Sequence, residues 1–241
     1  MIGWVPTPGL QSAASRVAAA LAVALSAAAL LGADASEDKP AMKTPDATIW
    51  EIADLEKIGG RKVAVVGSPQ VTSAPKGKAV RFDGTKDGLV VEANPLAGLG
   101  AFTLEVVFRP ESGGPREQRF FHCQEDGSEN RAMLETRLTD DGKWYLDTFL
   151  KFGRAERALA DPKALHPLDE WHAAALVFDG REMAHYVDGA KECAAKFGFK
   201  PLGPGRTSIG MRLNQVHWFK GAVRQARFSP RALKPDEMLK P

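Results

Sequence analysis

The sequence contains few cysteines and has a formal net charge of only +2. Its 241 residues include only two cysteines, Cys123 and Cys193, and 32 Lys and Arg residues nearly balance 30 Asp and Glu residues. Basic and acidic residues are interspersed, so the concentrated basic face of a nucleic-acid-binding protein is missing. The cysteines lack the C-x-x-C spacing of common zinc sites. They could form a disulfide in an oxidising compartment or stay as buried free thiols.

No segment keeps a helical pattern of apolar residues over three turns, so the sequence lacks the signal of a long amphipathic helix. Instead, 23 glycines and 16 prolines are spread singly along the chain and separate short apolar runs. Turn residues that recur between such runs are typical of strands in a sandwich or barrel. The sequence therefore predicts an all-β protein.

One apolar run is long, and it lies at the N-terminus. Arg16 precedes the uncharged run Val17–Leu31, and Ala33 and Ala35 supply the small residues of a signal-peptide cleavage site. The run is shorter than the roughly 20 residues of a membrane-spanning helix, which favours a signal peptide. The alternatives are an N-terminal membrane anchor and a buried Ala-rich helix. Cleavage after Ala35 predicts a secreted, periplasmic or cell-surface protein. The predicted segments are a signal peptide at 1–35, a flexible lead-in at 36–46 and one β domain at 47–241.

Several segments show the pattern of strands that contact a core. Phe102–Arg109 alternates, with aromatic and aliphatic residues on one side and a mostly polar set on the other. Trp171–Phe178 and Glu182–Val187 are apolar on both sides, which predicts a hairpin in the middle of a sheet.

A second hairpin is predicted around the three-residue loop Asp140–Gly142. In this register the apolar residues of both strands face inward. Glu135 then lies opposite Asp147 and Arg137 opposite Tyr145 on the outward face. A two-residue loop would mix apolar and polar residues on each face, so we reject it.

Short motifs resembling those of one sandwich family occur in order: Ala79–Gly84, Phe102–Pro110, Trp171–Gly180, His185–Gly189, Ser208–Gly210, Phe219–Val223 and Ser229–Leu233. Together they resemble the laminin-G-like jelly-roll domains of the concanavalin-A-like lectin/glucanase superfamily over residues 47–240. The resemblance implies an antiparallel β-sandwich of two packed sheets. We expect Trp171 to be a core anchor rather than a ligand platform. The resemblance also implies glycans as ligands on the concave sheet or the rim loops, although a fold alone does not fix function.

Two surfaces offer the mixture of aromatic and polar side chains that a sugar requires, because a sugar has apolar ring faces and many hydroxyls. The first is the outward face of the predicted hairpin, with the candidate ligand-binding residues Glu135, Arg137, Tyr145, Asp147 and Phe149. Further candidates to join this face are Glu105, Arg109 and His122. The second is the loop Arg212–Trp218, with the candidates Asn214, His217 and Trp218.

The pairing of Glu135 with Asp147 needs an explanation, because like charges opposite each other destabilise a sheet. Either Arg137 or Arg109 offsets the repulsion, or the pair holds a cation or serves as catalytic acid and base.

No catalytic residue is predicted, because G-x-S-x-G, H-E-x-x-H and P-loop motifs are all missing. The E-x-D-x-x-E strand of glycoside hydrolases with this sandwich is also missing, as are the signature strands of alginate-lyase relatives. His122, His172 and His185 are scattered without metal-ligand spacing, so we expect structural roles. A structural calcium ion bound by Asp83 or Asp87 is possible from the sequence. The alternative is that both residues are solvated turn aspartates.

The leading hypothesis is a secreted carbohydrate-recognition or adhesion module whose partner is a glycan or a surface protein. One alternative is a protein–protein or envelope-structural domain that docks through a sheet face or edge. Another is a glycan-cleaving hydrolase or lyase that uses Glu135 and Asp147. Nucleic acid is not an expected partner.

Overall fold

A computed structural model describes residues 46–241, and these residues form two antiparallel sheets packed as a sandwich. The predicted all-β sandwich is therefore confirmed. The predicted signal peptide and almost all of the predicted lead-in lie outside the described residues. Within the described part, no helix is long and apolar enough to cross a bilayer.

Seventeen strands and one short 3-10 turn make up the described chain. In chain order they are β1 Thr48–Glu51, β2 Lys57–Ile58, β3 Arg61–Val66, β4 Gln70–Ser73, β5 Lys78–Asp83, β6 Gly88–Val91, β7 Phe102–Pro110, β8 Glu117–Glu125, β9 Arg131–Leu138, β10 Lys143–Phe152, β11 Ala155–Ala160, β12 His166–Pro167, β13 His172–Phe178, β14 Glu182–Val187, β15 Ala190–Lys196, β16 Gly205–Ile209, β17 Lys220–Ser229 and the turn Pro235–Glu237.

The first sheet has the order β15-β14-β13-β7-β17-β5-β4, and β1 also pairs with β17. The second sheet has the order β11-β10-β9-β8-β16-β6-β3-β2, and β12 also pairs with β10. The predicted hairpin of β13 and β14 lies inside the first sheet, between β15 and β7, as expected. Several other neighbours, such as β7 and β17 or β8 and β16, are distant in sequence, which is why short motifs alone could not assign strands to sheets.

The core lies between the two sheets. The apolar face of β7 is fully buried, which confirms the predicted alternation, and its members are Phe102, Leu104, Val106 and Phe108. Phe108 stacks on Phe120 of the second sheet with ring centroids 4.1 Å apart and planes 6° apart. Such aromatic contacts join the inner faces of the two sheets.

The reverse face of β7 is also buried, because the C-terminal tail crosses it. The Thr103 hydroxyl accepts a hydrogen bond from the main-chain N–H of Leu233 at 2.9 Å. Glu105 is 1% exposed and accepts hydrogen bonds from Arg227 Nε at 2.5 Å and from the Leu239 main-chain N–H at 2.7 Å. The tail therefore covers much of the outer face of the first sheet.

Trp171 does not anchor the core, so that expectation was wrong. It is half-buried on the outer side of the first sheet, next to Arg109, whose guanidinium carbon lies 5.7 Å from its ring centroid. The cysteines are free thiols, with Cys123 on β8 and Cys193 on β15. Of the two states considered for them, the structure shows the unbridged one. Burial raises the pKa of Cys123 to about 12.

Candidate functional site

The outward faces of β8, β9 and β10 carry a set of polar and aromatic side chains, which we call the polar face. The observed pairing of Glu135 with Asp147 and of Arg137 with Tyr145 confirms the predicted register. Gly142 has a φ of 74° in the loop, as the three-residue turn requires. Across the three strands the rows of the polar face are Glu117–Arg137–Tyr145, Arg119–Glu135–Asp147 and His122–Met133–Phe149.

A β-bulge in β8 brings Arg119 and His122 to the same face. Arg119 lies opposite Glu135, but Phe121 lies opposite Leu134, so Phe120 is the extra residue. Residues three apart on a regular strand point to opposite faces, and a bulge shifts this alternation by one. The bulge therefore adds a cation and an imidazole to the polar face, while Phe120 is buried in the core.

The polar face holds an ion network of three carboxylates and two guanidinium groups. Arg137 contacts Glu117 at 2.6 Å, Asp147 at 2.8 Å and Glu135 at 3.2 Å. Arg119 contacts Glu135 at 2.9 Å and Glu117 at 3.1 Å. The two arginines therefore offset the repulsion between Glu135 and Asp147.

Arg137 is one of the two arginines that the sequence offered for this role. The other, Arg109, lies on the first sheet and pairs with Glu111 at 2.6 Å. Glu105 is also on the first sheet, so neither residue joins the polar face. His122 does join it.

Glu135 lies at the bottom of the network and is only 2% exposed. Burial raises the pKa of its carboxyl to about 7; Arg119 opposes this shift and Asp147 adds to it. Asp147 is 7% exposed, and its Oδ1 is buried without a hydrogen-bond partner among residues 46–241. The geometry thus gives Glu135 the role of holding two arginines, while Arg137 and Asp147 lie nearer the surface.

The 212–218 loop folds back onto the polar face, so the two predicted surfaces form one. The main-chain N–H of Leu213 donates to His122 Nδ1 at 3.0 Å. The main-chain N–H of Arg119 donates to the His217 carbonyl at 2.9 Å. His217 Nδ1 also lies 3.8 Å from the Glu117 carboxylate. The sequence predicts both surfaces, but none of its motifs indicates that they lie side by side.

His122 is fully buried beneath the loop. Burial lowers its pKa to about 3, and the nearby charges of Arg212, Arg131 and Arg119 add to this effect. The ring is therefore neutral at neutral pH, which leaves Nδ1 free to accept the Leu213 hydrogen bond. Neutral His122 fixes the position of the loop.

Tyr145 and Phe149 of β10 are partly exposed aromatic side chains on the polar face, and Trp218 of the 212–218 loop is also partly exposed. The guanidinium carbon of Arg131 lies 4.8 Å from the Phe149 ring centroid, so part of that ring is covered. Tyr145 and Arg137 line a depression of about 480 Å³, together with other residues of the polar face and the 139–140 turn. A depression of this size can accept a small ligand or one unit of a longer chain.

The 212–218 loop has a constrained backbone. Gln215 and His217 have φ values of 60° and 55°, which non-glycine residues adopt only when their surroundings enforce it. The Arg212 main-chain N–H donates to the Val216 carbonyl at 3.0 Å, which closes the loop. Asn214 is exposed within this closed loop, where its amide is available to a ligand.

The remaining histidines of the prediction lie away from this surface and bond to neighbouring protein groups. His172 Nδ1 is 2.8 Å from the Asp188 carboxylate, and His185 Nδ1 is 3.0 Å from the Thr148 hydroxyl. These contacts agree with the structural roles expected for them.

Asp83 and Asp87 accept hydrogen bonds from nearby protein groups, as expected of the turn aspartates that were the alternative to a calcium site. Asp83 accepts hydrogen bonds from the Thr85 hydroxyl at 2.6 Å and from main-chain N–H groups of the same turn. Although burial opposes it, these bonds lower the pKa of Asp83 to about 2. Asp87 Oδ1 accepts from the Ser68 N–H at 2.7 Å. Within residues 46–241, no group of three or more His, Cys, Asp and Glu residues has a metal-binding arrangement.

Several solved structures share this fold. Domain 4 of AbnA, a GH43 extracellular arabinanase from Geobacillus stearothermophilus in complex with arabinotriose, aligns with a TM-score of 0.60 and 15% identity, covering 81% of this chain and 97% of that one. The native heptameric SAP-like pentraxin from Limulus polyphemus aligns with a TM-score of 0.51 and 18% identity. The alignment covers 73% of this chain and 79% of the pentraxin chain. A structure of botulinum neurotoxin type C aligns with a TM-score of 0.59 and 9% identity, and the alignment covers 79% of this chain and 49% of that one. Cell entry of that neurotoxin is dependent upon interaction with two ganglioside molecules.

At these identities the alignments show the fold alone, and the chain spans about half of the neurotoxin structure. No curated protein matches the chain at a significant level. A laminin-G family model described as "Concanavalin A-like lectin/glucanases superfamily" matches residues 83–238, which is more than half of the chain. With the two-sheet sandwich and the motif order above, this match shows that the chain belongs to the laminin-G-like group of the concanavalin A-like lectin/glucanase superfamily.

Proposed function

We propose that this protein is an exported carbohydrate-recognition module that binds a glycan where the polar face meets the 212–218 loop. The main-chain hydrogen bond between Arg119 and His217 carries the proposal, because it turns two separate sets of candidate residues into one surface. That surface combines partly exposed aromatic rings with guanidinium and carboxylate groups fixed by ion pairs and with the exposed amide of Asn214. Sugars are recognised through such combinations, since ring faces pack on aromatics and hydroxyls bond to fixed polar groups.

The ion network supports the proposal because it holds the polar groups in place before a ligand arrives. Arg137 is fixed by three carboxylates, so little side-chain entropy is lost when a sugar hydroxyl approaches it. The unpartnered Oδ1 of Asp147 is an acceptor that a ligand hydroxyl can satisfy after a small side-chain movement.

The related structures point in the same direction. The arabinanase domain was solved with arabinotriose, and the neurotoxin depends on gangliosides for cell entry. Both ligands are carbohydrate or carry carbohydrate, and this chain shares the fold of both proteins. We do not propose glycan cleavage, because Glu135 is sealed from solvent and Arg137 contacts both candidate carboxylates.

A glycan array probed with the mature chain tests the proposal. We expect binding of at least one glycan class, and we expect Tyr145→Ala and Trp218→Ala each to weaken it about tenfold or more. Ile49→Ala is a matched control, because Ile49 is 53% exposed on β1, away from the polar face. Binding that survives both aromatic substitutions would place the site elsewhere, and an array without any binding would count against glycan recognition.

Export is the second part of the proposal and has its own test. Expression of the full sequence in a secreting host, followed by intact-mass measurement, should give a mature chain that begins at Ser36. A chain that keeps its first 35 residues and remains in the cytoplasm would contradict export without affecting glycan binding.

A further inference from the structure

A second charged pocket lies on the outer side of the first sheet, away from the polar face. Arg224 lines it from the bulge in β17, where the pairing with β7 shifts between Val223 and Gln225. The pocket has a volume of about 420 Å³, and part of the C-terminal tail forms one of its walls.

Arg224 is unusual because it is only 5% exposed and yet has no carboxylate within 4.0 Å among residues 46–241. The other strongly buried arginines, Arg119 and Arg131, each contact a glutamate. Buried cations are normally paired, because an isolated charge loses its hydration without compensation. No Arg224 nitrogen is among the buried, unpartnered atoms of residues 46–241, so its N–H donors remain open to solvent and to an anion.

Trp171 holds the Arg224 side chain from one side. The Arg224 guanidinium carbon lies 5.9 Å from the Trp171 ring centroid, and Arg109 lies 5.7 Å from the same ring. Of the two arginines beside Trp171, Arg109 is paired with Glu111, whereas Arg224 has no carboxylate partner among residues 46–241. Cation–π contacts orient a guanidinium but leave its N–H donors free for an oxyanion.

The other charged groups of the pocket are mostly positive. Lys76 and Lys240 line it, and both side chains are exposed. Lys76 Nζ contacts an oxygen of Pro241, the last residue of the sequence, at 3.1 Å, and Lys240 Nζ contacts the Asp188 carbonyl at 3.4 Å. The acidic group in the lining, Glu51, already accepts a hydrogen bond from Gln225 Nε2 at 2.6 Å. The three cations outnumber the two acidic groups beside them, which are Glu51 and the C-terminal carboxyl group that Lys76 contacts, so an excess of positive charge remains.

We propose that this pocket is an oxyanion-binding site in which Arg224, Lys76 and Lys240 bind a carboxylate, sulfate or phosphate group. A guanidinium fork matches the two oxygens of such a group, and lysines add charge at the rim. The volume also admits a sugar-sized molecule bearing the acid group. This site is independent of the glycan surface on the second sheet.

An NMR titration of the ¹⁵N-labelled protein tests the site with sodium sulfate, sodium phosphate and sodium glucuronate, each at constant ionic strength. Glucose is the neutral counterpart of glucuronate. We expect saturable shifts of the Glu51, Arg224, Gln225 and Leu239 amides with the three anions and none with glucose. Shifts with sulfate and phosphate but not glucuronate would identify a site for small inorganic anions, and shifts with all three would identify one that also accepts an acidic sugar.

Substitutions separate this site from general attraction of anions. Arg224→Gln should weaken binding about tenfold or more, and Lys76→Gln and Lys240→Gln should each weaken it about two- to fivefold. The lysine variants keep the test valid if Arg224→Gln fails to fold. Arg157→Gln, at an exposed position on β11, is the matched control and should bind like the wild type. Missing shifts at 50 mM anion, or binding that none of the pocket substitutions weakens, would overturn the proposal.

Discussion

The main-chain N–H of Leu213 donates a hydrogen bond to Nδ1 of His122 at 3.0 Å, and this bond fastens the 212–218 loop to the second sheet. Only a neutral imidazole can accept it, because both ring nitrogens of a charged imidazole carry protons. The glycan surface proposed here therefore depends on the protonation state of a residue that no ligand needs to contact.

His122 should make the protein less stable in acid. Its pKa falls from 6.5 to about 3 on folding, so the unfolded chain binds more protons between these values. Stability then falls as the pH drops. His122→Asn keeps an acceptor but does not titrate. As the pH falls from 6.5 to 4, its free energy of unfolding in urea should therefore rise relative to that of the wild type by up to about 3 kcal/mol. A stability difference that does not change with pH would contradict the assigned pKa.

Glu135 should have the opposite pH dependence. Its pKa rises from 4.5 to about 7 on folding, so the folded chain binds more protons in this range and stability falls as the pH rises. Glu135→Gln removes this titration. Its free energy of unfolding should improve relative to the wild type by up to about 3 kcal/mol between pH 4.5 and pH 7. A relative loss over the same range would mean that the two arginines dominate over burial.

Arg227 should be essential for the C-terminal tail. It pairs with Glu105, which is 1% exposed and also binds the tail at Leu239. Arg227→Met leaves a buried carboxylate without its cation, which should cost about 3–5 kcal/mol in urea unfolding. Arg206→Met is the control, because its pair with Asp126 is exposed on both sides and should be worth less than about 1 kcal/mol. Equal losses of unfolding free energy in the two variants would contradict a strong buried pair between Arg227 and Glu105.

Gly205 should tolerate no side chain. A Cβ at this position, where β16 begins, would overlap the main-chain oxygen of Gln124 in β8. Gly205→Ala should therefore destabilise the fold by about 2 kcal/mol or more. Gly100→Ala is the control, since no atom lies within 4 Å of the added carbon, and it should stay within about 0.5 kcal/mol of the wild type. A wild-type stability for Gly205→Ala would argue against the observed pairing of β16 and β8.

The sequence was most informative where structure is local. The register that sets Glu135 against Asp147 follows from a three-residue turn and the alternation of its strands, and both lie within one short segment. The alternation of Phe102–Arg109 likewise predicted which of its side chains enter the core. Turn chemistry and periodicity act between neighbouring residues, so no tertiary information was needed.

The errors concern contacts between distant parts of the chain. Arg109 and Glu105 were candidates for the polar face, but β7 belongs to the first sheet, and short strands do not reveal their sheet partners. Trp171 was expected in the core, although it lies beside two arginines on an outer face. The bulge at Phe120 has no turn residue to reveal it, so the position of His122 under the loop was not predicted.

The central claim is that the polar face and the 212–218 loop bind one ligand together, and an NMR titration tests it most directly. The ¹⁵N-labelled mature chain is titrated with the glycan that scores highest on the array. We predict that the amides of Tyr145 and Asp147 shift along the same binding curve as those of Asn214 and His217. Shifts confined to one of these two groups, or located on the first sheet instead, would contradict the account.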